Sequence, residues 1–386
     1  MARFPFSALG SFGPLGSILN VLREVDVRPV RIAAETPFLI AFVSSDVPFA
    51  EHLAALMYRG DRPADVPPYR AAVGVSLNDA TQISRANVVV IVARAEQQPD
   101  EALRLKRALE ASNVPLLTCF VEESSAPPPA REAMSGHVVT LPLANGVLDE
   151  RVALERLTKA IRQLKAIDDL ALARHLPAFR ESVVRALIED VATANATYSL
   201  GSGLLQINPA TGLPIAVADT VILTKNQAIM AYKIALAMGL PPDFHHVMPQ
   251  IVGVIGGGLV FRQVARSVIS LVPGLGIVPK VAIAFAGTFA IGEAVYRWCR
   301  SGERLSEEGL RAVYALALQR GKALADSLRR LSKTVGGRRT QHRPSRSTAA
   351  EEASWRDPVP IELPSASSGD GNAPATASNG VVRPLD

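Results

Sequence analysis

The chain has 386 residues, a formal net charge of +5 and a mean hydropathy of +0.19. That length holds two domains plus tails, and an apolar content of 48% leaves apolar surface for lipid or a partner. Two cysteines far apart, Cys119 and Cys299, exclude a disulfide framework and fit a reducing compartment.

The positive charge is local. Between Arg329 and Arg346 lie seven basic residues and no acidic one, so the rest of the chain is slightly acidic. This pattern points to a local anionic partner and away from a globally basic nucleic-acid binder. Aromatics make up 5% of the chain, so Leu, Val, Ile and Ala must build the core.

Phe4 to Leu22 is uncharged but broken by Pro5, Gly10, Gly13, Pro14 and Gly16, and it lacks a small-residue cleavage pattern. It reads as a partly ordered leader and not as a signal peptide. Residues 17–35 form an amphipathic segment. Pro37–Ser45 is an apolar, β-branched run and predicts a buried strand. Asp46–Arg59 has helical spacing, with Asp46 as its N-cap. Pro63, Pro67 and Pro68 mark a loop, and Tyr69–Leu77 a second strand.

Ala86–Ala93 is the clearest strand, followed by an amphipathic helix over Gln97–Ser112 that carries Leu103, Leu105, Ala108 and Leu109. Val114–Val121 is another strand, with Cys119 in its core, and Val138–Leu143 the last. Asp149–Asp168 is helical, with Val152, Leu157, Ile161 and Leu164 on its apolar positions. Strands alternating with helices predict a parallel sheet with helical crossovers.

From Ala166 the pattern is all helical. His175–Tyr198 predicts one long helix, with Phe179, Val183, Leu187 and Val191 on one face. Val191–Ala218 carries no charge, but Pro209 and Pro214 interrupt it, so it is not a simple span. Thr224–Gln227 has the pattern of a capping box opening a helix, which Gly239 and Pro241 would stop. Ser306 to Val335 is an amphipathic helix with Leu310, Val313, Ala317, Leu324, Leu328 and Leu331 on its buried face. From Gly336 the composition is that of a disordered tail.

The first domain has the element order of a Ras-like GTPase without its chemistry. A phosphate loop needs glycines and a lysine after the first strand. Here the residues are Ser44-Ser45-Asp46-Val47-Pro48-Phe49-Ala50-Glu51-His52. Pro48 removes an amide donor, and Asp46 and Glu51 place negative charge where phosphate should sit. Asn78-Asp79-Ala80-Thr81 replaces an Asp-x-x-Gly switch, and Glu122-Glu123-Ser124-Ser125 follows the strand that should lead to a guanine-reading Asn-Lys-x-Asp. No cofactor is expected. His245-His246 has only Asp243 at ligand spacing and reads as a helix start, not a metal site.

Val247–Gly292 is apolar and glycine-rich, with a turn at Pro273–Gly276. Its uncharged runs, Val247–Phe261, Ser267–Pro279 and Val281–Gly292, hold 15, 13 and 12 residues. A single spanning helix needs about 20. These lengths fit a buried hairpin, a re-entrant insertion, or helices that snorkel Arg262, Arg266 and Lys280. Gly253, Gly256, Gly257 and Gly258 admit close helix packing, a tight turn in a soluble bundle, or a dinucleotide loop. The last lacks its third glycine, since Phe261 stands there.

Three segments, ANATYSLGSG, AVADTVILTKNQAIMAYKIALAMGL and VIGGGLVFRQVARSVISLVPGLGIVPKVAIAFAGTFAIGEA, resemble the YcjF-type domain, a domain of unknown function in bacterial membrane-associated proteins that is also found fused to Era-like GTPases. The resemblance is closest over Leu176–Tyr296. It implies a helical, membrane-associated module beside a GTPase-like domain. A site role for Asn226 or Gln227 rests on that pattern alone.

The fold expected is α/β followed by all-α: leader 1–30, a degenerate Ras-like domain 31–165, a YcjF-type helical domain 166–335 with a glycine-rich apolar hairpin, and a tail 336–386. The function expected is that of a non-catalytic scaffold or regulator on the cytoplasmic face of the inner membrane. Gly253, Gly256, Gly257, Gly258, Pro273, Gly274, Gly276 and Gly287 are the candidate membrane or packing residues. Arg329, Arg330, Lys333, Arg338 and Arg339 are the candidate contacts to anionic lipid. A protein partner is expected and nucleic acid is not, because no aromatic interleaves the basic segment. The alternatives are a nucleotide-dependent protein completed by a partner, and a soluble helical interaction protein.

Overall fold

The computed structural model describes residues 26–60, 70–94, 106–107, 109, 114–123, 137–205, 212–255 and 277–339. Helix α1 (Arg28–Glu35) starts on a proline in its first turn and stops before Pro37. Strand β1 (Ile40–Ser44) is buried at all five positions. Helix α2 (Val47–Leu56), strand β2 (Ala72–Ser76), helix α3 (Ala80–Arg85) and strand β3 (Val88–Arg94) follow. Next come β4 (Leu116–Glu123), β5 (His137–Ala144) and the two-residue β6 (Val147–Leu148).

The six strands lie in the order β2-β1-β3-β4-β5-β6. The first five are parallel, as expected from strands alternating with helices, and β6 returns antiparallel. Asn145 and Gly146 make that return, with φ of 55° and 75°. Two successive positive-φ residues match the right-handed twist of the flanking strands. Along β1, alternate residues take opposite faces. Ile40 and Phe42 pack with α2, whereas Ala41 and Val43 pack with Ile83 and Ala86. Gly74 lets α2 lie directly on β2, because a Cβ there would stand 2.3 Å from the Glu51 backbone nitrogen.

Helix α4 (Glu150–Gln163) is capped by Asp149 and lays Ala153, Leu157 and Ile161 into the core. A short helix α5 (Asp169–His175), capped by Asp168, is buried over Leu170–His175. The single helix expected from His175 to Tyr198 is instead two elements. Pro177 pushes Leu176 out of the helical region, to φ −121° and ψ 99°, and opens a 3-10 turn at Pro177–Phe179. Helix α6 (Arg180–Leu205) begins after it and runs about two turns beyond the expected end.

Helix α7 (Gly212–Ala237) corrects a second expectation. Thr224–Gln227 does not open a helix, since these residues lie inside one that began three turns earlier. A capping-box spacing is equally a pair of positions on one helical face. The stop is as expected: Gly239 takes φ 89°, and Leu240 N–H and Gly239 N–H donate back to Ala235 O and Leu236 O. Helix α8 (Phe244–Ile255), helix α9 (Ile277–Ser301) and helix α10 (Glu307–Arg339) complete the fold. Helix α10 continues past Gly336, where a disordered tail was expected to begin.

One cluster of buried side chains joins the sheet to the helices. It runs from Ile40 and Phe42 through Leu157 and Phe179 to Tyr232, Val247 and Val295. A second packs Ala192 and Ala196 of α6 against Val281, Phe285 and Ala286 of α9 and Ala317 and Ala325 of α10. The α9–α10 approach is close, because a Cβ on Gly321 would lie 2.8 Å from Ala282 O.

Candidate functional site

In a doubly wound sheet, ligands bind outside the carboxyl ends of the strands, where the order reverses. Here that place lies between β1 and β3. Beyond β1, the Asp46 carboxylate accepts from Phe49 N–H at 3.2 Å, and Asp46 N–H donates to Ser44 Oγ at 3.2 Å. Pro48 has no N–H. The first turn of α2 therefore spends the Phe49 donor on its own cap and has none at Pro48. The same device recurs beyond β2, where the Asp79 carboxylate accepts from Gln82 N–H at 3.1 Å.

Further along this edge, Glu123 accepts from Gly146 N–H at 2.7 Å. Its neighbour Glu122 is 7% exposed, and its Oε1 has no hydrogen-bond partner among the described residues. Arg94 ends β3 on the same edge. Four carboxylates thus follow the carboxyl ends of β1, β2 and β4. A phosphate needs free amides and positive charge, and this edge offers capped amides and mostly negative charge.

The second cluster lies between helices. Asn195 of α6 and Thr288 of α9 are both fully buried. Asn195 Nδ2 donates to Thr288 Oγ1 at 3.0 Å, and Gln227 Nε2 of α7 donates to the same oxygen at 3.1 Å. Asn226 Nδ2 donates to Asn195 Oδ1 at 2.7 Å. Three amides and a hydroxyl cannot move a proton near neutral pH. What they do is fix how three helices register, since a slip would leave buried polar groups unpaired.

A third group ties the helices to the sheet domain. Arg174, 2% exposed on α5, donates from Nη1 to Leu236 O and Leu240 O at 3.2 and 2.8 Å. It thereby closes the last turn of α7. Arg162 of α4 grips both Asp169 oxygens, at 3.1 and 2.8 Å, and donates to Ser182 O at 3.0 Å.

Of the residues expected to pack or meet a membrane, Gly256, Gly257, Gly258, Pro273, Gly274 and Gly276 lie outside the described residues. Gly253 is in α8 and Gly287 in α9. Arg329 and Arg330 are exposed on α10, and Lys333, Arg338 and Arg339 continue that helix. Asp46 is the expected N-cap, and Asp243 caps α8 through the amides of His245 and His246. Cys119 is buried in β4, and burial pushes its thiol far above the ordinary range.

Asn195, Thr288 and Gly321 carry no sequence signal of their own. Asn195 lies in the chargeless stretch Val191–Ala218, where its polarity stands out from the apolar residues around it. Among the described residues no three His, Cys, Asp or Glu side chains are grouped to hold a metal, and no helix is long and apolar enough to cross a membrane. No family model, curated protein or solved structure matches the chain.

Proposed function

We propose that this chain is a non-catalytic, membrane-associated scaffold on the cytoplasmic face of the bacterial inner membrane. In this reading its α/β domain is a degenerate GTPase-like domain that faces a protein partner, and its helical region is a YcjF-type module. The observation that carries the non-catalytic part is the Asp46 cap at the switch point. Its carboxylate takes the Phe49 amide of the first turn and places negative charge at the helix start, and Pro48 offers no amide. The parallel order β2-β1-β3-β4-β5, with helices as crossovers, is the frame that a GTPase-like domain requires. The polar cluster of Asn195, Asn226, Gln227 and Thr288 supports a rigid helical module, because its hydrogen bonds hold three helices in register.

The test is calorimetric titration of the full chain with GTP and GDP in the presence of magnesium. The expected affinity is weaker than about 1 mM, the range where net binding is about −4 kcal/mol or less. Micromolar binding that is lost on Asp46→Ala would overturn the reading.

A further inference from the structure

The helices of the second half sort their charges by direction. Ile188 of α6 lies against Gly292 of α9, and one turn pair further on Asn195 meets Thr288. Residue numbers rise on α6 as they fall on α9, so the two helices are antiparallel. Arg320 of α10 sits over Phe289, 5.4 Å from the ring centroid, and Gly321 lies against Ala282 and Phe285. Ala325 then packs in the cluster that holds Val281. Helix α10 is therefore also antiparallel to α9. The end of α7 is held at Arg174, which precedes the start of α6, so α7 returns alongside α6 in the opposite sense.

One end of the bundle thus gathers the last turns of α6, the first turns of α7 and α9, and the turn of α10 that carries Arg329 and Arg330. Beyond Asn195 and Thr288 each helix extends by about ten residues, or roughly 15 Å. Over that distance α6 has no charged residue, α7 has Asp219 and Lys225, and α9 has Lys280. Ile222, on this part of α7, is a large apolar side chain 38% exposed. Arg329 and Arg330 come nine and ten residues after Arg320, which brings them beside the first turns of α9. The opposite end of α10 starts with Glu307 and Glu308.

The geometry points to this end of the bundle as the surface that docks on a bilayer containing anionic lipid. Apolar helix ends meet the headgroup and acyl boundary, and Arg329 and Arg330 beside them meet lipid phosphates. This rests on the membrane-associated reading and adds which surface makes the contact and which lipid it selects. In sequence the basic residues are separated from the chargeless stretch of α6 by more than a hundred positions. Only the antiparallel packing unites them.

The experiment is flotation of the full chain with vesicles of phosphatidylcholine alone, or of phosphatidylcholine mixed with phosphatidylglycerol. We expect binding to the mixed vesicles and a loss of roughly tenfold or more on Arg329→Glu with Arg330→Glu, since each cation near an anionic surface contributes roughly fivefold. Arg304→Glu with Arg311→Glu, at the other end of α10, should bind like the parent. Arg329→Gln with Arg330→Gln, checked by circular dichroism, gives the same direction if the reversed charges disturb folding. Binding that is equal for both lipids, or unchanged in the Arg329 and Arg330 variants, overturns this surface and leaves membrane association standing. No flotation with either vesicle overturns both.

Discussion

At the scale of single residues, several positions are fixed by what stands against them. Gly321 is one, because α9 backbone occupies the space a Cβ would take. Gly321→Ala should cost about 1–3 kcal/mol in urea unfolding, the usual penalty for forcing an extra methyl into packed helices. Asn195 is another. Asn195→Ala removes an acceptor from Asn226 and a donor from Thr288, so it should cost about 2 kcal/mol or more, whereas an exposed Asn would cost a few tenths. Cys119 gives a pH signature. Its thiol is neutral when folded well above the pH at which an unfolded thiol ionises. Its contribution is therefore whole below about pH 8.5 and falls as pH rises above that. Between pH 8 and pH 10, chemical unfolding should show a stability loss that is smaller by roughly 1–2 kcal/mol in Cys119→Ala than in the parent. Cys299, with its thiol pushed up to about 12, should add to the same slope.

At the scale of elements, the strands were legible and the helix ends less so. Pro37–Ser45, Ala86–Ala93 and Val114–Val121 are β-branched runs, and each contains its strand to within a few residues. They were legible because a strand buried on both faces needs an unbroken apolar run. Pro177 interrupts an otherwise helical pattern, because the residue before a proline is driven from the helix. Thr224–Gln227 looks like an interruption for the converse reason. Capping chemistry and an interior polar face share a spacing, and only the turns before Thr224 distinguish them.

At the scale of the molecule, sequence composition separates an α/β half from a helical half, but packing does not. Phe38 and Ile40, Leu157 of α4, and Tyr232 of α7 share one buried cluster, with Arg174 and Arg162 as polar ties. No local pattern announces this, because a face covered by another helix and a face covered by a distant module have the same periodicity. Thermal unfolding followed by far-UV circular dichroism and by tryptophan fluorescence should give coincident transitions. The acidic carboxyl edge of the sheet was readable as missing motifs. The gathering of chargeless helix ends beside Arg329 and Arg330 was not, since it depends on helix direction.

A membrane scaffold of the kind proposed works without nucleotide. Flotation of the full chain on vesicles containing phosphatidylglycerol, with and without GTP and magnesium, tests both halves at once. The chain should float, and nucleotide should leave the floated fraction unchanged. A chain that stays with the soluble fraction, or one whose partition shifts when GTP is added, would contradict it.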